Sequence, residues 1–219
     1  MGRPRVVDVR AEPPSEEDLD GVVRHVLGGG LIAYPTETVY GFGGLAAPRA
    51  VKSLRRLKPG RERPFLLLVP SVAAVSELRW TAEARVLASA FWPGALTLVL
   101  ADPSRSFPAG VRGQRGGVAV RVTSHALTGR LVQRLGRAIT STSANLPGER
   151  PAADGREALA AASRSSAAEE FWVLDGGPLP PSLPSTVVDC TGSVPRIVRP
   201  GAIPEARLHA VHSEIDVER

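Results

Sequence analysis

The side chains most able to do chemistry in this sequence are small hydroxyls and arginines placed where short apolar runs end. Leu31-Ile32-Ala33-Tyr34 delivers Pro35-Thr36-Glu37-Thr38, and Ala138 to Thr140 delivers Ser141-Thr142-Ser143-Ala144-Asn145. Arg121 lies inside the apolar run 118–122, Ser185 opens the run 186–189, and Arg199-Pro200-Gly201 closes 196–199. Hydroxyls in such positions donate to phosphate or carboxylate oxygens while the backbone N–H groups beside them approach closely. Lys58-Pro59-Gly60-Arg61-Glu62-Arg63-Pro64 adds a basic loop able to neutralise a triphosphate. Taken singly, a Ser/Thr-rich loop has an ordinary reading as a turn closed by local hydrogen bonds, and a basic loop as a solvated one. Arg121 is harder to set aside, because a guanidinium in an apolar strand needs an anionic partner.

The common nucleotide and hydrolase signatures are missing. There is no G-x-x-x-x-G-K-[ST] loop. Gly41-Phe42-Gly43-Gly44-Leu45-Ala46 fits a relaxed dinucleotide fingerprint, with Glu62 at about the expected distance. That loop should leave its strand directly and open a helix, yet residues 35–40 intervene before it and Ala47-Pro48 interrupts after it. His25, His125, His209 and His212 show no H-E-x-x-H spacing, and no G-x-S-x-G elbow occurs.

These loops need elements to hold them. Ser15 before Glu16, Glu17 and Asp18 predicts a capped helix that stops at Gly28-Gly29-Gly30. Pro48 opens a second helix through Leu57, with Val51, Leu54 and Leu57 on one face. Thr81 caps a third, ended by Trp92-Pro93-Gly94, Ser124 a fourth through Leu135, and a fifth spans 154–163. Strands are expected at 31–34, 65–69, 95–100, 118–122, 138–140, 171–174, 186–189 and 196–199. The alternation predicts an α/β domain with a mixed sheet, residues 1–4 and the segment after Pro204 being loose ends.

The 219 residues suit one domain, with 43% hydrophobic and 22% charged residues. A formal charge of +5 suits phosphate-bearing partners, nucleotide or RNA, without choosing between them. Lys52 and Lys58 are the only lysines, so a lysine inside a motif is informative. Cys190 is the single cysteine, which excludes an internal disulfide framework and any multi-cysteine metal cluster. No apolar run is long enough to span a bilayer and no signal-like stretch follows Met1, so a cytoplasmic location is expected.

In their joint order these segments resemble the YrdC-like family of threonylcarbamoyl-AMP synthases. The matching stretches are Tyr34 to Gly41, Lys58 with its basic loop, Phe91-Trp-Pro-Gly-Ala-Leu-Thr97 and Val118-Ala-Val-Arg-Val122. Ser141 to Asn145, Pro184-Ser-Thr-Val-Val188 and Val198-Arg-Pro-Gly201 complete them. The resemblance implies a YrdC-like domain over 15–203, between an N-terminal extension (1–14) and a short C-terminal tail (204–219), without the extra C-terminal domain of longer members. Its fold would be a twisted mixed sheet flanked by helices around a large, positively lined concave cavity.

The activity so implied is synthesis of L-threonylcarbamoyl-adenylate from L-threonine, bicarbonate or CO₂, and ATP, with release of pyrophosphate. Mg²⁺ would accompany the phosphates, and a separate complex would pass the product to tRNA, which this chain could itself contact. Carried over by motif, Lys58, Ser143, Asn145 and Arg199 resemble ATP contacts, with Lys58 and Arg199 as the catalytic cations. Thr36, Arg121, Ser141 and Ser185 resemble the threonine end, where Arg121 suits a carboxylate. The family's basic loop commonly has Lys-x-Arg, whereas here Arg61 falls one place later; Arg61 or Arg63 takes the second basic role. No protein metal ligand is implied. Glu37 is the nearest acidic group in a motif, read here as structuring its loop. The rival reading from another class is a non-catalytic RNA-binding protein with a basic concave face, although 5% aromatic content offers few stacking platforms.

Overall fold

The computed structural model describes residues 4–10, 15–164 and 171–217. Its strands are β1 (Arg5–Asp8), β2 (Leu31–Tyr34), β3 (Gly41–Gly43), β4 (Leu66–Leu68), β5 (Leu96–Ala101), β6 (Gly117–Arg121), β7 (Ile139–Ser143), β8 (Phe171–Asp175), β9 (Thr186–Asp189), β10 (Arg196–Arg199) and β11 (Asp216–Val217). The α-helices are α1 (Glu16–Leu27), α2 (Pro48–Leu57), α3 (Ala82–Phe91), α4 (Ala126–Leu135), α5 (Gly155–Ser163) and α6 (Glu205–Val211). The strands form one mixed sheet in the order β1-β8-β2-β3-β7-β4-β6-β5-β9-β10-β11. The expected α/β architecture with a mixed sheet flanked by helices is therefore what the chain adopts.

Side-chain alternation explains which parts of the sheet are covered. In β2, Leu31 and Ala33 enter the core that holds α2 and α5, while Ile32 and Tyr34 enter the one that holds α1 and α4. Burial on both faces is why this strand is a continuous apolar run. In β5 and β6 the even positions (Leu96, Leu98, Leu100, Val118, Val120) are fully buried with α3. Their odd neighbours Thr97, Val99, Gly117 and Ala119 face a cavity instead. Small residues there leave open volume that larger ones would fill.

Several expectations need correction. The segment read as part of an N-terminal extension contains β1, which pairs in parallel with β8 because Val7 and Val9 are buried. The segment after Pro204 is not loose: α6 buries Leu208, and β11 pairs with β10. Ser124 does not cap the fourth helix; His125 holds the N-cap position without a side-chain cap, and the Ser124 N–H is used elsewhere. The Ser141-Thr142-Ser143 run is not a loop beyond its strand. It continues β7, which lies between β3 and β4.

Candidate active site

The β5–β6–β9–β10 face forms the floor of a cavity of about 1340 Å³. That exceeds the range of roughly 300–1,000 Å³ usual for a single small ligand. Loop residues 105–115 form another wall, pinned by Asp102, whose buried carboxylate accepts the N–H groups of Ser106 at 2.9 Å and Phe107 at 3.2 Å. Arg55, Arg61, Arg63, Arg105, Arg112, Arg115 and Arg199 line the space, against Glu62 and Asp189.

A bulge aims Arg199. Ile197 pairs with Val188 and Arg199 with Val187, so two residues of β10 advance over one of β9. Val198 and Arg199 thus both reach the cavity, while Ile197 stays in the core. Arg199 Nη2 donates to the Ser185 carbonyl at 2.6 Å and to Ser185 Oγ at 3.1 Å. Ser185 Oγ also shares a 2.8 Å hydrogen bond with Thr97 Oγ1. Arg199 Nε and Arg61 Nε are buried without a hydrogen-bond partner among the described residues. Burial, with Arg199, Arg63 and Arg55 nearby, holds Arg61 below the ordinary arginine value. Burial does the same to Arg199, aided by Arg63 and Arg121. Cations crowded this way, with two buried donors unused, are arranged for a polyanion.

Lys58 departs from the picture of a phosphate-facing point charge. It is 5% exposed, and Nζ donates to the carbonyls of Ser143 (3.1 Å) and Asn145 (2.6 Å) and to Asn145 Oδ1 (2.7 Å). Ser143 Oγ also lies 2.6 Å from Asn145 Oδ1, and Asn145 Nδ2 donates to the Glu149 carbonyl at 2.6 Å. The ammonium therefore fastens the 143–149 turn. The Arg61 N–H donates to the Lys58 carbonyl at 3.2 Å, which ties this knot to the arginine wall. Burial, with Arg61 nearby, pushes Lys58 down from 10.5 to about 8.

The third group lies where β6 ends. Arg121 is 4% exposed; its Nε donates to the Gly94 carbonyl at 2.9 Å and its Nη1 to Thr38 Oγ1 at 3.3 Å. Nη2 sits 2.7 Å from Glu37 Oε1, so the anion that a buried guanidinium requires is supplied by the chain itself. Thr38 Oγ1 is 3.0 Å from Thr36 Oγ1, and Ser141 is buried on β7 opposite Leu66. The Trp92-Pro93-Gly94 turn that ends α3 also positions Arg121 through the Gly94 carbonyl.

Of the residues read from the sequence, Arg61, Arg63 and Arg199 line the cavity, and Ser185 braces Arg199. Lys58, Ser143 and Asn145 form a second knot, and Thr36 and Arg121 a third linked through Thr38. Thr97, Thr38, Thr123 and the arginines of the 105–115 loop were not singled out. Thr97 had a signal, since it is the polar member of an alternating strand.

The Sua5/YciO/YrdC family model, described as "Telomere recombination", matches residues 25–201. The threonylcarbamoyl-AMP synthase of Bacillus subtilis is 34% identical over 194 residues, covering 86% of this chain and 55% of that protein. The threonylcarbamoyl-AMP synthase of Thiobacillus denitrificans is 38% identical over 188 residues, covering 80% of this chain and 93% of that one. The crystal structure of Pyrococcus abyssi Sua5 complexed with L-threonine aligns at TM-score 0.87 and 31% identity, over 97% of this chain and 62% of that one. The chain spans about half the length, 55%, of the Bacillus and Pyrococcus relatives it matches. A family match over most of the sequence and a shared fold lead to one conclusion: the chain belongs to the Sua5/YciO/YrdC family.

Proposed function

We propose that the chain is an L-threonylcarbamoyladenylate synthase, a nucleotidyltransferase acting on L-threonine, bicarbonate or CO₂, and ATP for tRNA modification. The observation that carries this reading is the convergence of Arg61, Arg63 and Arg199 on one cavity, with buried Nε donors of Arg61 and Arg199 unpartnered among the described residues. The threonine amine captures CO₂, forming an N–C bond and losing a proton. A carbamate oxygen then attacks the α-phosphorus, and the bond to the bridging oxygen breaks to release pyrophosphate. The chain's part is to align the reactants and neutralise charge on the phosphates, the work of positioned cations. Arg61, Arg63 and Arg199 supply that charge. Lys58 holds Ser143 and Asn145 in place for the nucleotide, and Arg121 with Thr36, Ser141 and Ser185 receives the amino acid.

The described residues contain no group of three or more His, Cys, Asp or Glu side chains placed to hold a metal. In this reading Mg²⁺ arrives with the nucleotide, held by its phosphates as part of the substrate. The adenylate would pass to a separate threonylcarbamoyl-transferring complex in the cytoplasm.

Pyrophosphate release from ATP with Mg²⁺ and bicarbonate, measured with and without L-threonine, tests the reading. Threonine-dependent release is the expected result. ATP left intact, together with salt-sensitive RNA binding, would instead favour the binding-protein alternative.

The same assay should show an alkaline limb. As pH rises through about 8, Lys58 loses the proton that lets it donate to three acceptors, and turnover should fall. Unfolding is separable by sign. Between about 8 and 10.5 the unfolded chain holds more protons at Lys58 than the folded one, so this group makes the fold more stable as pH rises. Activity falling while this contribution to stability grows distinguishes titration from melting; turnover that holds level through pH 9 contradicts the assignment.

A further inference from the structure

Three groups from one short segment, residues 121–124 at the end of β6, converge on the Glu37 carboxylate. Arg121 Nη2 lies 2.7 Å from Oε1, the Ser124 N–H donates to Oε1 at 3.1 Å, and Thr123 Oγ1 donates to Oε2 at 2.5 Å. The carboxylate thus accepts two hydrogen bonds and pairs with the Arg121 charge, and glutamine would keep hydrogen-bonding capacity while losing that charge. Arg121 is held by the Gly94 carbonyl, Thr38 and Glu37, and Glu37 alone of these is charged. The Arg121 side chain is 4% exposed and that of Glu37 19%, so the pair is shielded from screening.

We propose that Glu37 is the positioning residue of the amino-acid end of the site. It fixes Arg121 so that the remaining N–H groups of the guanidinium meet the substrate carboxylate, and it ties the 35–40 loop to residues 123–124. This rests on Arg121 being the carboxylate receptor. A role as general base for the amine fits poorly. Burial alone would raise the Glu37 carboxyl, but Arg121 and Thr123 outweigh it and hold it below the usual range, and both oxygens are already engaged. The loop would then be a second consequence of one carboxylate. Thr36 and Thr38 share a hydrogen bond, and Thr38 bonds Arg121, so freeing the guanidinium loosens all of them.

The test is titration calorimetry of L-threonine, and separately of a non-hydrolysable ATP analogue, on wild type, Glu37→Gln, Arg121→Ala and the double variant. Glu37→Gln should weaken threonine binding about tenfold or more, with affinity for the ATP analogue unchanged. Removing a negative charge would by itself favour an anionic ligand, so weaker binding reports lost geometry. In the Arg121→Ala background the same change should add almost nothing, since its target is gone. Unchanged or tighter threonine binding in Glu37→Gln, while Arg121→Ala binds weakly, overturns the proposal alone. Additive losses in the double variant also overturn it, because Glu37 would then act independently of Arg121. Arg121→Ala binding threonine like wild type, or wild type binding none, overturns the underlying reading and the proposal with it. Should Glu37→Gln fail to fold, Thr123→Val removes one donor and keeps the charge. It should weaken threonine severalfold, and wild-type affinity there overturns the proposal.

Discussion

Replacing Lys58 by alanine is expected to lower threonine-dependent pyrophosphate release by about two orders of magnitude, roughly 2.7 kcal/mol, with the fold retained. The ammonium satisfies the Ser143 carbonyl, the Asn145 carbonyl and Asn145 Oδ1 at once. Hydrogen bonds to a charged donor are worth roughly 1.5–3 kcal/mol each. The three share one donor and one turn, so their losses will not add. Without the charge, Asn145 Oδ1 keeps only Ser143 Oγ among these partners, and the 143–149 turn loses its link to the end of α2. The fold should survive because the end of α2 is closed by backbone: the Lys58 N–H donates to the carbonyls of Leu54 and Arg55 whatever the side chain. Lys58→Arg should rescue little, since a planar guanidinium cannot direct three hydrogens at acceptors grouped around one nitrogen. Steady-state rates alongside melting curves check this, and a Lys58→Ala protein that turns over ATP like wild type removes Lys58 from the site.

The apolar runs that position the site were legible because burial leaves a plain pattern. Strand β2, apolar throughout, is buried on both faces, and β5 alternates because one face lines the cavity. The need of Arg121 for an anion was also legible, from the cost of burying a guanidinium. That Glu37 supplies it was not, because nothing local in the chain announces a pairing of β6 with the loop after β2. Polar composition misled in the opposite sense at β7, where Ser141, Thr142 and Ser143 lie in the sheet. Their neighbour β3 was missed for a related reason: Gly41 and Gly43 look like a loop until a partner strand requires the space. The position of the Lys58 ammonium depends on carbonyls far along the sequence, which no spacing encodes. Strand β1 and helix α6 are each held by one or two buried apolar residues, too few to show a period.

Gly43→Ala should be among the most damaging single methyl additions the fold can receive. A Cβ on Gly43 would lie 1.8 Å from the Thr140 carbonyl oxygen and 3.0 Å from the Tyr34 hydroxyl. Neither neighbour is free to move. The Tyr34 hydroxyl donates to that carbonyl at 3.0 Å, and the Thr140 N–H and hydroxyl both donate to the Gly44 carbonyl, at 2.7 and 3.0 Å. Tyr34 and Thr140 are fully buried, so the strain must go into backbone. Overpacking of a rigid core costs about 1–3 kcal/mol and occasionally more, and backbone on the receiving side puts this case at or above the upper end. In a domain of this size about 3 kcal/mol lowers Tm by roughly 6–12 °C. Gly129→Ala is the control: it lies in α4, the added methyl would be 3.9 Å from the Thr123 carbonyl oxygen, its nearest neighbour outside the helix backbone, and it should gain roughly 0.5–1 kcal/mol. The two variants should melt on opposite sides of wild type. Coincident melting of Gly43→Ala and wild type would mean that β3 and β7 do not approach this closely. Because β7 carries Ser141 and Ser143, the displacement that accommodates the methyl should also weaken nucleotide binding, whereas Gly129→Ala should leave it unchanged.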